Sequence, residues 1–125
     1  MDREALVKRW IEKLRHPEAK QCTGRLGLLD GSRCCLGVAC DVFIEMGGKM
    51  DIGEEYHQGG KSVRYNEETA VMPRVVMNAF GISLSSGQYD VPSGSSCLSH
   101  DNDNGKTFAQ IADIIESKPE GLFRD

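Results

Sequence analysis

Residues 36–46, "LGVACDVFIEM", limit the folds open to this chain more than any other stretch. Their apolar side chains come too densely for the alternation of a half-buried strand, and Gly47-Gly48 supply a C-terminal stop. The segment from Cys35 onward therefore reads as a helix. A helix apolar nearly all round has to be buried. Gly37 inside it costs about 1 kcal/mol relative to Ala, a cost that close approach by another backbone would justify.

The remaining segments have to cover that helix. "DREALVKRWIEKLRHP" predicts an N-terminal helix capped by Asp2, with Leu6, Trp10, Ile11 and Leu14 on one face and Pro17 marking its end. "GRLGLLDGSRCC" has the grammar of a hairpin turning at Asp30-Gly31. Residues 49–70 predict a second hairpin, centred on Gly59-Gly60 between "GEEYH" and "KSVRY". "MPRVVMNAFGI" predicts a short third helix with Pro73 in its first turn and Gly81 at its end. "ISLSSGQYDVPSGSS" reads as a strand followed by an exposed Gly- and Ser-rich loop. In the last segment, Phe108, Ile111, Ala112 and Ile115 line one face of a C-terminal helix capped by Thr107 and closed by Pro119. There are no internal repeats and no linker-like stretch. The expectation is a single small α+β domain over residues 1–125: an N-terminal helix, then β-hairpins packed with a central buried helix and a C-terminal helix.

Charge narrows the partners. The net charge is −4, which argues against bulk nucleic acid or an anionic membrane surface, although 15 Lys and Arg residues are enough to converge on a small anion. No apolar run approaches the ~20 residues of a membrane span, and the charged N-terminus lacks a signal-peptide core, so a cytosolic location is expected. Five cysteines, an odd number in a reducing compartment, are expected as free thiols.

Three of those cysteines lie in "SRCCLGVACD". The spacing CC-x4-C, with no second pair, is not that of a zinc ribbon or finger, and C-x-x-C is absent. No metal and no cofactor are expected. Cys35 at a helix start is a candidate nucleophile, with His57 or His100 as its base. Burial of small core thiols explains the same residues more simply, and packing is the favoured reading.

"DNDNGKT" (101–107) fails as an EF-hand loop, because aligning Gly105 to position 6 puts His100 at position 1 and Ile111 at position 12. It fails as a phosphate loop because His100 stands where the first Gly belongs. What survives is a polar loop that brings Asn102, Asn104, Lys106 and Thr107 to a helix start, where an anion is welcome. A plain N-cap with a solvated loop is the competing and preferred reading. Finally, Arg25, Arg33, Lys61, Arg64, Tyr65 and Arg74 are spread over the two hairpins and the third helix. If those elements pack together, the arginines would line a groove, with Tyr56, Tyr65 or Tyr89 to stack on a base.

Three stretches taken together, "GRLGLLDGSRCCLGVACDVF", "VMPRVVMNAFGI" and "CLSHDNDNGKTFAQIADIIE", resemble a family of small proteins encoded by tailed bacteriophages and prophages. Its members look like "YCCLGVLCD…LP..V..…GL…L..LND.G.SF.EIAD.IE". The resemblance spans about residues 4–116. Ala39 stands where Leu is usual, and His100-Asp101 replace the usual approach to the "ND" loop. The resemblance implies a setting, the cytoplasm of an infected bacterium, and carries no catalytic roles. In that setting the leading expectation is a non-enzymatic sponge. It would sequester a nucleotide-derived immune signal, of cyclic oligonucleotide or cyclic ADP-ribose type, and disable a host defence such as CBASS or Thoeris. A chain this short would enclose such a ligand most naturally as a homo-oligomer. The alternatives are a protein that binds and inhibits a host protein through an acidic face, and a hydrolase built on Cys35.

Overall fold

In the computed structural model, which describes residues 1–124, the buried helix is where the sequence puts it. It is the second of five helices, α2 (Cys35–Glu45), and every residue from Cys35 to Cys40 is buried, as are Val42 and Phe43. The reason for Gly37 is plain. A Cβ at this position would lie 1.8 Å from the carbonyl oxygen of Leu26, so the backbone at Leu26 passes directly against the helix.

The first helix, α1 (Arg3–Leu14), is capped by the Asp2 carboxylate, which accepts from the Glu4 and Ala5 N–H groups. It buries Leu6, Val7, Trp10 and Leu14. Trp10 packs edge-on against Phe80 with ring centroids 5.4 Å apart, and its Nε1 donates to the Cys35 carbonyl at 2.9 Å. The indole thus fills the core without an unpaired N–H.

The expected hairpin at Asp30-Gly31 is only partly formed. The turn is there: Gly31 has φ +94°, and the Asp30 carboxylate accepts from both Ser32 N and Ser32 Oγ. Its arms meet through Leu28 N to Ser32 O and Cys34 N to Leu26 O, isolated bridges and not a continuous ladder. Residues 27–28 also pair sideways with the second hairpin, through Val63 N to Gly27 O at 2.9 Å. That hairpin is β1 (Ile52–His57) against β2 (Gly60–Tyr65), antiparallel from Ile52 opposite Tyr65 to His57 opposite Gly60. Val63 and Tyr65 turn into the core, and β1 lies outermost.

Next comes α3 (Arg74–Phe80), which starts directly after Pro73 and stops at Gly81 in the left-handed region. Two short elements depart from the expectation. The Gly- and Ser-rich stretch is not a loop. It is β4 (Gly94–Cys97), antiparallel to β3 (Gln88–Val91) across a Pro92-Ser93 turn. The first half of "HDNDNGK" is not a loop either, because α4 (Leu98–Asp103) carries Leu98, Asp101 and Asn102 inward. The chain then forms α5 (Phe108–Ser117), opened by a reciprocal capping box between Thr107 and Gln110 and buried along Phe108, Ile111, Ala112 and Ile115. The architecture is α+β.

Candidate functional site

The polar residues singled out in the sequence fall into three groups. The first closes the junction between α2 and α4. Asn102, 1% exposed, donates from Nδ2 to the Cys22 carbonyl at 2.8 Å. Its Oδ1 accepts from Cys35 N at 3.1 Å and from Gln21 Nε2 at 2.9 Å. Cys34 occupies the N-cap position of α2 without a side-chain cap bond, so Asn102 supplies the missing acceptor from a distant part of the chain. Asp103 extends the junction by accepting from Gly24 N at 2.9 Å. This corrects the reading of residues 102–107 as an anion loop: Asn102 is turned inward and its donors and acceptor are already used. Thr107 is the N-cap of α5. Asn104 bonds back to the His100 carbonyl at 2.8 Å. Of these four side chains only that of Lys106 has no partner among the described residues, and its backbone carbonyl accepts from Gln21.

The second group is a triad on the inner face of β2. Arg33 donates from Nε to Asp41 Oδ2 at 2.8 Å, and Tyr65 donates to Asp41 Oδ1 at 2.6 Å. Arg33 also donates to the Leu28 and Ser32 carbonyls. Burial, reinforced by the carboxylate it donates to, pushes the Tyr65 hydroxyl above its ordinary range. With Tyr65 1% exposed, its ring offers no stacking surface, so the expected groove loses both Arg33 and Tyr65. Tyr89 is buried as well, its hydroxyl donated to Asp101, which also accepts from Ser96 Oγ. Tyr56 is 76% exposed but sits at the outer end of β1 with Lys61 Nζ 4.8 Å from its ring centroid. Asp41 is the residue that sequence reasoning missed. A lone acid inside an otherwise apolar helix needs a cation or donors nearby, and that was the available signal.

The third group survives as an open cleft of about 750 Å3 between the end of β2 and the start of α3. Arg64 and Arg74, ten residues apart in sequence, both line it, with Asn66 and Asn78 beside them. Arg64 donates from Nε to the Asn66 carbonyl at 3.0 Å, and its guanidinium lies over Gly53, where a Cβ would sit 2.2 Å away. Neither arginine makes an ion pair among the described residues, although Asp51, Glu67 and Glu68 stand on the same rim. Arg25 does not line this cleft; it lies half-buried on the 20–27 segment.

The three cysteines of the motif, Cys34, Cys35 and Cys40, belong to the core. Cys35 and Cys40 are 0% exposed, and burial raises both thiols well above their ordinary value; that of Cys34 is pushed up to about 12, again by burial. The Cys35 thiol points to the Leu98 carbonyl at 3.5 Å. His57 Nδ1 accepts from Gly59 N at the hairpin tip, and His100 contacts Asn104, so neither histidine is bonded to Cys35. Among the described residues no cluster of three or more His, Cys, Asp or Glu side chains is placed to hold a metal ion. No described helix is long and apolar enough to cross a membrane.

Residues 1–119 match the model of a family described as a domain of unknown function (DUF8296). The chain belongs to this family. No curated protein and no solved structure matches it. The match covers the α2 junction, the Arg64–Arg74 cleft and all five helices.

Proposed function

We propose that this family member is a non-enzymatic binding protein of phage or prophage origin. In this reading it takes a small nucleotide-derived anion, of cyclic oligonucleotide or cyclic ADP-ribose type, and acts as an anti-defence sponge in the cytoplasm of an infected host. The observation that carries it is the presence of two arginines, Arg64 and Arg74, in the lining of one open cleft, with no ion pair to either among the described residues. The planar fork of Arg matches phosphate oxygens two at a time. Asn78 beside it offers an amide donor and acceptor to ribose hydroxyls or base edges, and Asn66, whose Oδ1 accepts from Asp51 N at 2.9 Å, offers its Nδ2 donor. No described tyrosine lines the cleft, so recognition rests on phosphate and polar edges. The three rim carboxylates favour a ligand that also brings hydroxyl or amino donors over a bare polyanion.

The test is a thermal-shift and calorimetric screen against cyclic di- and trinucleotides and ADP-ribose derivatives, with the ligand analysed after heat release. A native-state ligand at a hundredfold excess over its Kd adds about 2.7 kcal/mol of apparent stability. A shift with one class, lost in Arg64→Ala/Arg74→Ala and followed by intact release, supports the sponge. A flat screen, or a ligand returned cleaved, overturns it.

A second reading, binding to a host protein, is favoured by a separate observation. The register leaves the outward N–H and C=O groups of Ile52, Glu54 and Tyr56 unpaired among the described residues along the outer edge of β1, beside exposed Glu54 and Glu55. An extended basic segment would pair there by strand addition. Capture of one host protein by the wild type, lost in Glu54→Lys/Glu55→Lys, would favour it over the sponge.

A further inference from the structure

The groove beside α1 has an apolar floor and a charged rim. Val7, Ile11, Ile115 and Phe123 lie along it, and its volume is about 910 Å3. The outer row of α1 runs Glu4, Lys8, Glu12, a spacing of four that keeps them on one face, and all three line the groove. The neighbouring cations are already held: Arg9 and Lys13 by Glu45 of α2, and Arg15 by Asp113 and Glu116 of α5. Glu4 and Lys8 make no ion pair among the described residues, and Glu12 has only a loose 3.6 Å contact with Arg9.

The row left over therefore reads acid, base, acid, and its Lys8–Glu12 part is complementary to its own reverse. Two copies laid antiparallel about a two-fold axis near residue 10 set each Lys8 opposite the other copy's Glu12. A parallel arrangement would set like charges together. We infer that α1 and its groove form the surface on which a second copy of this chain docks, in an isologous antiparallel dimer. The partly buried Ile11 supplies its apolar centre beside the paired charges. An unrelated partner has no need of a pattern that complements itself, which is why the second copy is the occupant. The dimer rests on neither ligand reading above.

Light scattering and sedimentation of the full chain at roughly 0.2 mM read it directly, since interfaces of modest area dissociate well below that range only when they are tight. The wild type is expected to dimerise. Lys8→Glu sets carboxylate against carboxylate at both symmetry-related places and weakens the dimer about tenfold or more. The double variant Lys8→Glu/Glu12→Lys restores the opposite signs and should recover most of the loss. Both positions are exposed, and a circular-dichroism melt checks that each variant keeps the wild-type fold. A monomeric wild type, a dimer indifferent to Lys8→Glu, or a double variant no better than the single one overturns the inference.

Discussion

Replacing Gly37 by Ala should destabilise the chain, against the ordinary preference of a helix interior. In an unobstructed helix the change gains about 1 kcal/mol. Here the added Cβ would sit 1.8 Å from the Leu26 carbonyl oxygen, where ordinary contact begins at 3.4 Å. The Leu26 peptide is pinned from two sides, its oxygen accepting from Cys34 N at 3.0 Å and its nitrogen donating to Thr69 O at 2.6 Å. Making room strains both bonds, each worth about 1 kcal/mol, and adds an overpacking cost of about 1–3 kcal/mol. After the propensity gain is subtracted, a net loss of about 2–4 kcal/mol remains. For a domain of this size that lowers Tm by roughly 10 °C. Urea unfolding followed by circular dichroism gives the value, with Gly24→Ala as the control. Gly24 has φ +79° and nothing within 4 Å of where a Cβ would stand, so that change carries only the left-handed backbone cost of about 1–2 kcal/mol. A Gly37→Ala chain as stable as wild type, or more so, would refute the close-approach explanation.

Asn102→Ala removes the acceptor for Cys35 N and the donor to Cys22 O at a buried site, and should cost about 2–4 kcal/mol in urea titration; a loss below about 1 kcal/mol would mean that the junction is not held this way. In thiol labelling of the native chain, half-buried Cys97 should react first. Cys34, Cys35 and Cys40, whose thiols burial has raised, should follow only as fast as the fold opens, so quick modification of Cys35 would reinstate it as a reactive group. Glu45 is held below its ordinary 4.5 by hydrogen bonds from Arg9, and Glu116 by those from Arg15. Their folded pKa values are depressed, so the stability they contribute is present above pH 4.5 and lost as pH falls through the folded values. Tm should therefore drop on the acid side of 4.5, less steeply in high salt because these groups are exposed.

The parts of the fold legible in sequence are those written in local terms. The density of residues 36–46, the cap at Asp2, the Pro73 and Gly81 punctuation and the Thr107 box each act within a few residues, and each is found in place. Strand β4 and helix α4 were hidden because "GSSC" and "HDND" are polar, and polarity alone reads as loop. What makes them regular is contact with partners outside the segment itself: the β3 ladder across a two-residue turn for one, and the Cys22 carbonyl, 80 residues back, for the other. The same reason governs the candidate site. Whether an Arg, Tyr or Asn faces a ligand or the core depends on what meets it across the fold. Asp41 claims Arg33 and Tyr65, while Arg64 and Arg74 meet no carboxylate among the described residues.

The division between these arginines bears on what the sequence motif itself reports. "CCLGVACD" and "HDNDNGKT" are not two sites but two sides of one joint. The first helical N–H of α2 is capped from α4, the Cys35 thiol points to the Leu98 carbonyl, and Asp41 anchors the turn at residue 33 to β2. Residues used in this way fix backbones relative to one another and leave nothing over for a ligand. In the proposed binding role, specificity falls to segments outside the joint, chiefly the outer strand β1 and the Arg64–Arg74 cleft, whose side chains are mostly exposed or half-buried. Changes at the two places should part accordingly. Substituting joint residues lowers stability and takes binding with it. Arg64→Ala/Arg74→Ala keeps the melting curve within about 0.5 kcal/mol of wild type and alters binding alone. A chain that carries the joint but lacks the two arginines is expected to fold alike and, in the proposed binding role, to bind differently.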